Sequence, residues 1–279
     1  MKKSLINYQR GANVGGGGRF LSSYSHSENF NQYPQGSIVK SAFTLAEVLI
    51  TLGIIGVVAA LTLPTLIANY KNKEYATRAK HTYSLINQAI QKYQAEAGVA
   101  GDVSGLFDTS KTSEEVLLNF SKYFDGAKIC LNQSGNCGKF RYPILFSSVV
   151  YDEDNIAKSS TISPPLMIMK DGSIIRVIQY DNCVRHKSGP LQNDDGTVKR
   201  DEDGNIVIGS WTTYYCGEII FDTNGVSGPN QYGADIFLLT VFHDAHFEGS
   251  KSYGWDSLKA ILSGNDPVYT KYTAGSIKE

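Results

Sequence analysis

The chain has no pair of cysteines spaced to grip a metal. Cys130, Cys137, Cys183 and Cys216 are its only four, and none form a C-x-x-C, which argues against a structural zinc site. It also has no surplus of positive charge, with a net −1 over 279 residues, so no nucleic-acid partner is expected. The glycine tract "GANVGGGG" follows no strand pattern and leads to no Gly-Lys-Ser/Thr, which excludes a phosphate cradle. No Ser/His/Asp constellation or nucleophile elbow stands out, so no catalysis is expected of the chain. His243 and His246 in "HDAH" offer two imidazoles with no third ligand evident, too few for a zinc ion.

Charge is unevenly placed. The first 42 residues carry Lys2, Lys3, Arg10, Arg19 and Lys40 against the single acid Glu28, while acids outnumber bases in the remainder. That first stretch is rich in Gly, Ser, Asn, Gln and Tyr and holds little that builds a core. It reads as a polar leader, 1–42.

Then comes "SAFTLAEVLITLGIIGVVAALTLP", Ser41 to Pro64. From Val48 to Ala68 the residues are apolar, small or weakly polar. As a helix this stretch spans about 31 Å, the thickness of a bilayer's hydrocarbon core. A secretory signal would place an A-x-A cleavage pattern after the apolar run. After Pro64 the chain reads "TLIANYKNKEYA", without such a pattern, and the small residue Ala42 lies before the run instead. The hydrophobic segment is therefore expected to stay on the mature protein. Lys71, Lys73, Arg78 and Lys80 after the run would favour a cytoplasmic C-terminal side. The four cysteines favour an oxidising compartment for that side, and the cysteines are given the greater weight.

Glu47 is the anomaly. A carboxylate inside a membrane helix costs roughly 2.5–3.5 kcal/mol when central and marks a functional position by default. Here "K-S-A-F-T-L-A-E" followed by an apolar helix resembles the prepilin processing site of type IV pilins and type II secretion pseudopilins. The resemblance is close over about 38–70 and general in layout beyond. It implies cleavage between Ala42 and Phe43 by a membrane peptidase that also methylates the new amino terminus. The residue before the cut is normally Gly; Ala42 is a less usual variant. Glu47 then stands fifth in the mature chain, where the family places its glutamate, and Pro64 falls where many members bend the helix. The physical reading is that Glu47 pairs with the Phe43 ammonium of a neighbouring subunit, turning a cost in the monomer into register in a filament. Gly53, Gly56, Ala59 and Ala60 allow close helix approach, and Pro64 is expected to kink or locally melt the helix.

Beyond the membrane segment, 43–69, the helix is expected to continue over 70–97. Ala76, Ala79, Tyr83, Ile86, Ile90, Tyr93 and Ala97 recur at steps of three and four, an amphipathic stripe. Gly98 signals its stop. The head, 98–279, reads mainly as strands. "TSEEVLLNFSKYF" is a short helix capped by Thr112 or Ser113. "LMIMKDGSIIRVIQY" reads as a hairpin about Asp171-Gly172. "NIVIGSWTTYYCGEIIFD" and "ADIFLLTVF" supply further strands, and "NDDGTVKRDEDGN" an exposed turn region. The expected class is α+β: a long N-terminal helix, half membrane-spanning and half amphipathic, packed on a mainly antiparallel head. The pilin resemblance implies the same.

Four cysteines allow three pairings. Cys130 with Cys137 is favoured because they flank a small polar loop, and Cys183 with Cys216 follows. "FDTNGVSGPNQYGADIF" is the most distinctive stretch of the head. Asp222, Asn224 and Asp235 are hard oxygen donors, and some pseudopilins bind calcium in a late loop. EF-hand spacing is absent, and Asx turns with Gly-Pro punctuation account for the same residues. The turn reading is preferred, with calcium as the alternative.

The chain is thus expected to be a structural subunit of a type IV pilus or secretion pseudopilus. Its partners would be other pilin or pseudopilin subunits, the prepilin peptidase and methyltransferase, and, indirectly, a platform protein and an assembly ATPase. It would sit in the inner membrane with one span and an extracytoplasmic head, and in the filament at the periplasm or cell surface. The alternative is a membrane-anchored binding module or minor tip pilin whose head recognises a ligand.

Overall fold

A computed structural model describes residues 44–278. The processing pair Ala42 and Phe43, and the leader 1–42, lie outside the described residues. The chain divides into two compact units, Met1–Gly53 and Ile54–Glu279.

Helix α1, Leu45–Ala97, is the longest element. Its N-terminal turn in the first unit is closed by Thr44 and Glu47 (below). Leu49, Ile50 and Leu52 there are exposed. In the second unit Ile54, Val57, Leu61 and Leu66 are exposed too, each at least 60%. The best 18-residue window of the helix has mean hydropathy 2.3, and none of that window is buried. The helix is long and apolar enough to cross a membrane. Helix geometry persists through Pro64, so of the two expected effects, a kink or a melted turn, the turn is not melted. Proline removes one backbone donor, and the turns on either side keep theirs. Thr62 Oγ1 also back-bonds to the Val58 carbonyl at 2.9 Å within this stretch.

The amphipathic stripe is the part of α1 that meets the head. Ala79, Ile86, Ala89 and Ile90 are buried, and Ala76, Tyr83 and Tyr93 pack partly buried against the same core. Ala97, at the end of the stripe, is exposed. Gly98 comes next with φ 69°, a left-handed stop. Helix α2, Ser113–Ser121, begins with a capping box: Glu115 N–H donates to Thr112 Oγ1 at 3.3 Å and Thr112 N–H donates back to Glu115 Oε2 at 2.8 Å.

The main sheet has six antiparallel strands. They are β1 (Lys128–Cys130), β4 (Leu166–Ile168), β5 (Ile174–Gln179), β8 (Gly217–Asp222), β9 (Ile236–Val241) and β10 (Phe247–Glu248), in that order across the sheet. Strands β8 and β9 are buried at every position, because both faces of the sheet are covered. On one face Ile219, Phe221, Phe237 and Leu239 share a core with α1, α2 and helix α3, Trp255–Leu262. On the other, Ile220, Ile236 and Leu238 pack with Ile144 and Ile162. Those two belong to a separate hairpin, β2 (Tyr142–Leu145) with β3 (Ser159–Ile162). A third sheet is a two-stranded ribbon, β6 (Arg185–Pro190) with β7 (Ile208–Thr213). The class is α+β, a long N-terminal helix followed by a mainly antiparallel sheet.

The four cysteines pair as Cys130–Cys137 and Cys183–Cys216. The first closes the small loop after β1. The second closes the neck of the segment that holds β6 and β7.

Candidate functional site

Two places gather the candidate functional side chains, one in each unit. In the first, Thr44 N–H and Oγ–H both donate to Glu47 Oε2 at 2.8 Å, and Glu47 N–H donates to Thr44 Oγ1 at 3.2 Å. This is a reciprocal capping box, T-x-x-E, at the start of α1. The four-residue pattern is written in the sequence, but the oddity of a carboxylate entering an apolar helix draws attention away from it. The box makes Glu47 locally useful, because it satisfies a donor that would otherwise be orphaned at the helix start. The other carboxylate oxygen, Oε1, takes no hydrogen bond from the described residues of this turn.

In the second unit the connection from β8 to β9 gathers Asp222, Asn224 and Asp235. Register places Asp222 opposite Ile236, so the two aspartates flank the loop at its base. Both are fully buried. Asp222 Oδ1 accepts from the N–H groups of Asn224 at 3.0 Å and Gly225 at 2.8 Å. Its Oδ2 accepts from the Tyr142 hydroxyl at 2.6 Å. Asp235 Oδ1 accepts from Gln231 N–H at 2.9 Å and Oδ2 from Asn230 N–H at 3.0 Å. The loop is closed further by Thr223 N–H donating to the Asp235 carbonyl at 2.9 Å. Gly225 sits at φ 66°, and a side chain there would strike the Gly172 carbonyl, 2.9 Å from the position of its Cβ.

The preferred turn reading describes these bonds well, because each carboxylate organises backbone N–H groups of its own loop. The environment is nonetheless unfavourable for two negative charges. Burial first, and Asp235 second, push the Asp222 carboxyl up to about 8, against the pull of its hydrogen bonds from Tyr142, Asn224 and Gly225. Burial likewise pushes Asp235 up to about 6, opposed by the N–H groups of Gln231 and Asn230. In the same loop Thr223 Oγ1, Asn224 Oδ1 and Asn230 Oδ1 are buried without a hydrogen-bond partner. The donors are all oxygen, two carboxylates with unpartnered oxygens on Thr223, Asn224 and Asn230, the donor types a hard divalent cation takes. The carboxylate oxygens already accept hydrogen bonds from the loop and Tyr142. No sequence signal marks Tyr142 or Asn230 as part of this group. Tyr142 is 80 residues from Asp222, and no local pattern links them.

The remaining sequence candidates separate. His246 Nδ1 pairs with Asp244, while the His243 ring lies against Cys216 Sγ, with Nε2 at 3.2 Å. The two imidazoles of "HDAH" therefore serve different neighbours. Comparison with family models, with curated proteins and with solved structures finds no match to this chain.

Proposed function

We propose that the chain is a pilin-like structural subunit, trimmed before Phe43 and assembled through α1 into a type IV pilus or secretion pseudopilus. One observation carries the reading. A helix whose most apolar window, of mean hydropathy 2.3, is unburied opens on a Thr44–Glu47 box directly behind a prepilin-type processing sequence. Such an apolar surface requires lipid before assembly and other subunits after it. The capping box lowers the cost of holding Glu47 at the membrane and leaves one of its carboxylate oxygens available to a neighbour. Cleavage would supply the matching cation, the Phe43 ammonium of an adjoining subunit. In low dielectric that pair favours one stagger of helices over others. Cell fractionation tests the localisation: the mature chain belongs with the inner membrane and sheared filaments.

The loop of Asp222 and Asp235 has a structural part in this reading. A calcium ion bound by the two carboxylates, with Asn224 and Asn230, would neutralise their repulsion and rigidify the head. The experiment is a thermal melt at pH 7.5 with and without calcium. Stabilisation by calcium that disappears in Asp235→Asn supports the cation. An unchanged melting temperature leaves the loop as a turn only.

A second reading, ligand recognition by the head, draws on a cavity of about 490 Å³. Trp211, Tyr215, Phe242 and Tyr253 wall it, with Lys187 and Glu218 as charged groups. It describes a membrane-anchored module or a tip subunit, and the state of the N-terminus separates the anchor from the filament subunit.

A further inference from the structure

The two disulfides have the same pattern of exposure and different neighbours. In each, one sulfur belongs to a buried residue, Cys130 at 1% and Cys216 at 2% exposed. The other belongs to a half-buried residue, Cys137 or Cys183. An imidazole lies beside the second disulfide and nearer Cys216: His243 Nε2 lies 3.2 Å and Nδ1 3.7 Å from Cys216 Sγ, and a ring nitrogen lies within 4.8 Å of Cys183 Sγ. His243 itself is exposed. The Asp102 carboxylate is held below its ordinary range first by hydrogen bonds from Ser104 and in smaller part by His243.

We propose that Cys183–Cys216 is a thiol-exchange site: an external thiol couples to Cys183, and His243 stabilises Cys216 as the leaving group. Access decides which sulfur is attacked, since Cys216 is enclosed and Cys183 is not. An incoming thiolate forms a bond to Cys183 Sγ, the Cys183–Cys216 bond breaks, and its electron pair leaves on Cys216 Sγ. His243 Nε2–H donates to that thiolate. The proton lost by the external thiol is balanced by the one Cys216 takes up, through His243 or from water. Nothing is oxidised or reduced overall in this step; one disulfide is exchanged for a mixed disulfide. A leaving thiol of lower pKa departs faster, and a hydrogen bond donated to its thiolate lowers it.

The location gives the exchange a consequence. The bond spans 33 residues and closes the neck of 184–215, which contains the β6–β7 ribbon. This ribbon pairs with no other sheet among the described residues and presents Trp211 at 47% and Ile208 at 59% exposed. Opening the neck removes the covalent constraint on that segment and leaves the main sheet and Cys130–Cys137 intact. None of this requires filament assembly.

The test uses the full-length chain in detergent, incubated with reduced glutathione, quenched with an alkylating maleimide and mapped by peptide mass spectrometry. The expected result is a glutathione adduct on Cys183 with Cys216 alkylated, forming at least tenfold faster than any adduct at Cys130 or Cys137. His243→Ala should slow the reaction at Cys183 at least fivefold and leave the Cys130–Cys137 rate unchanged. A fold merely loosened by the substitution would expose the bond and speed its exchange, so slowing is specific to the proposed role. An adduct first on Cys216, equal rates at the two disulfides, or an unchanged or faster rate in His243→Ala would each overturn the assignment.

Discussion

At the scale of single residues, Glu47 plays two separable parts. Its hydrogen bonds with Thr44 cap the helix, and its charge is what the filament reading needs. Glu47→Gln keeps an amide oxygen for the box and removes the charge; Glu47→Ala removes both. If register depends on charge, both variants insert in the membrane and neither enters filaments, as read by sheared-filament yield. Assembly of Glu47→Gln at the wild-type level would reduce Glu47 to a cap. Asp222 supports a second residue-level prediction. Its folded-state pKa of about 8 lies above the ordinary carboxylate value, as does that of Asp235 at about 6. The folded chain therefore holds more protons than the unfolded chain between about pH 4 and 8, and without a metal its stability falls as pH rises through that window. Asp222→Asn should flatten the slope of melting temperature against pH. A slope that keeps its steepness in the variant would show that the pair is not its source.

At the scale of elements, the long apolar run and the stripe over Ala79 to Ile90 were legible because helical periodicity and hydropathy are local signals. So was α2, whose Thr112–Glu115 box is written in four consecutive positions. Thr112→Ala should cost about 1 kcal/mol, measurable by denaturant titration of the full chain. The hairpin at Gly172 and strands β8 and β9 were legible for the same reason. Strand β6, "RHKSGP", was not: it carries a glycine, a proline and polar side chains, and it exists because β7 supplies its partners. Helix α3 was missed as well. It is eight residues long, and only its packing of Leu258 and Ile261 into the core distinguishes it from loop. Non-local partners account for the missed site features too. Tyr142 reaches Asp222 and His243 reaches Cys216 across the fold, while the capping role of Glu47 was local and readable.

At the scale of the whole molecule, the second unit has its own two-faced core, and the apolar part of α1 lacks one. Ile86, fully buried where α1 meets the sheet, should cost about 2–5 kcal/mol when changed to Ala; a loss below about 1 kcal/mol would mean that the helix is dispensable to the head. The unburied apolar surface of α1 is long and apolar enough to cross a membrane, and lipid, detergent or neighbouring chains are what would cover it. Whether those neighbours are filament subunits depends on the processing of the chain. The most direct test is the N-terminal mass of the protein isolated from its native membrane. A filament subunit begins at an N-methylated Phe43. A chain that keeps the residues before Phe43, or one that begins beyond Ala68, would contradict that assignment.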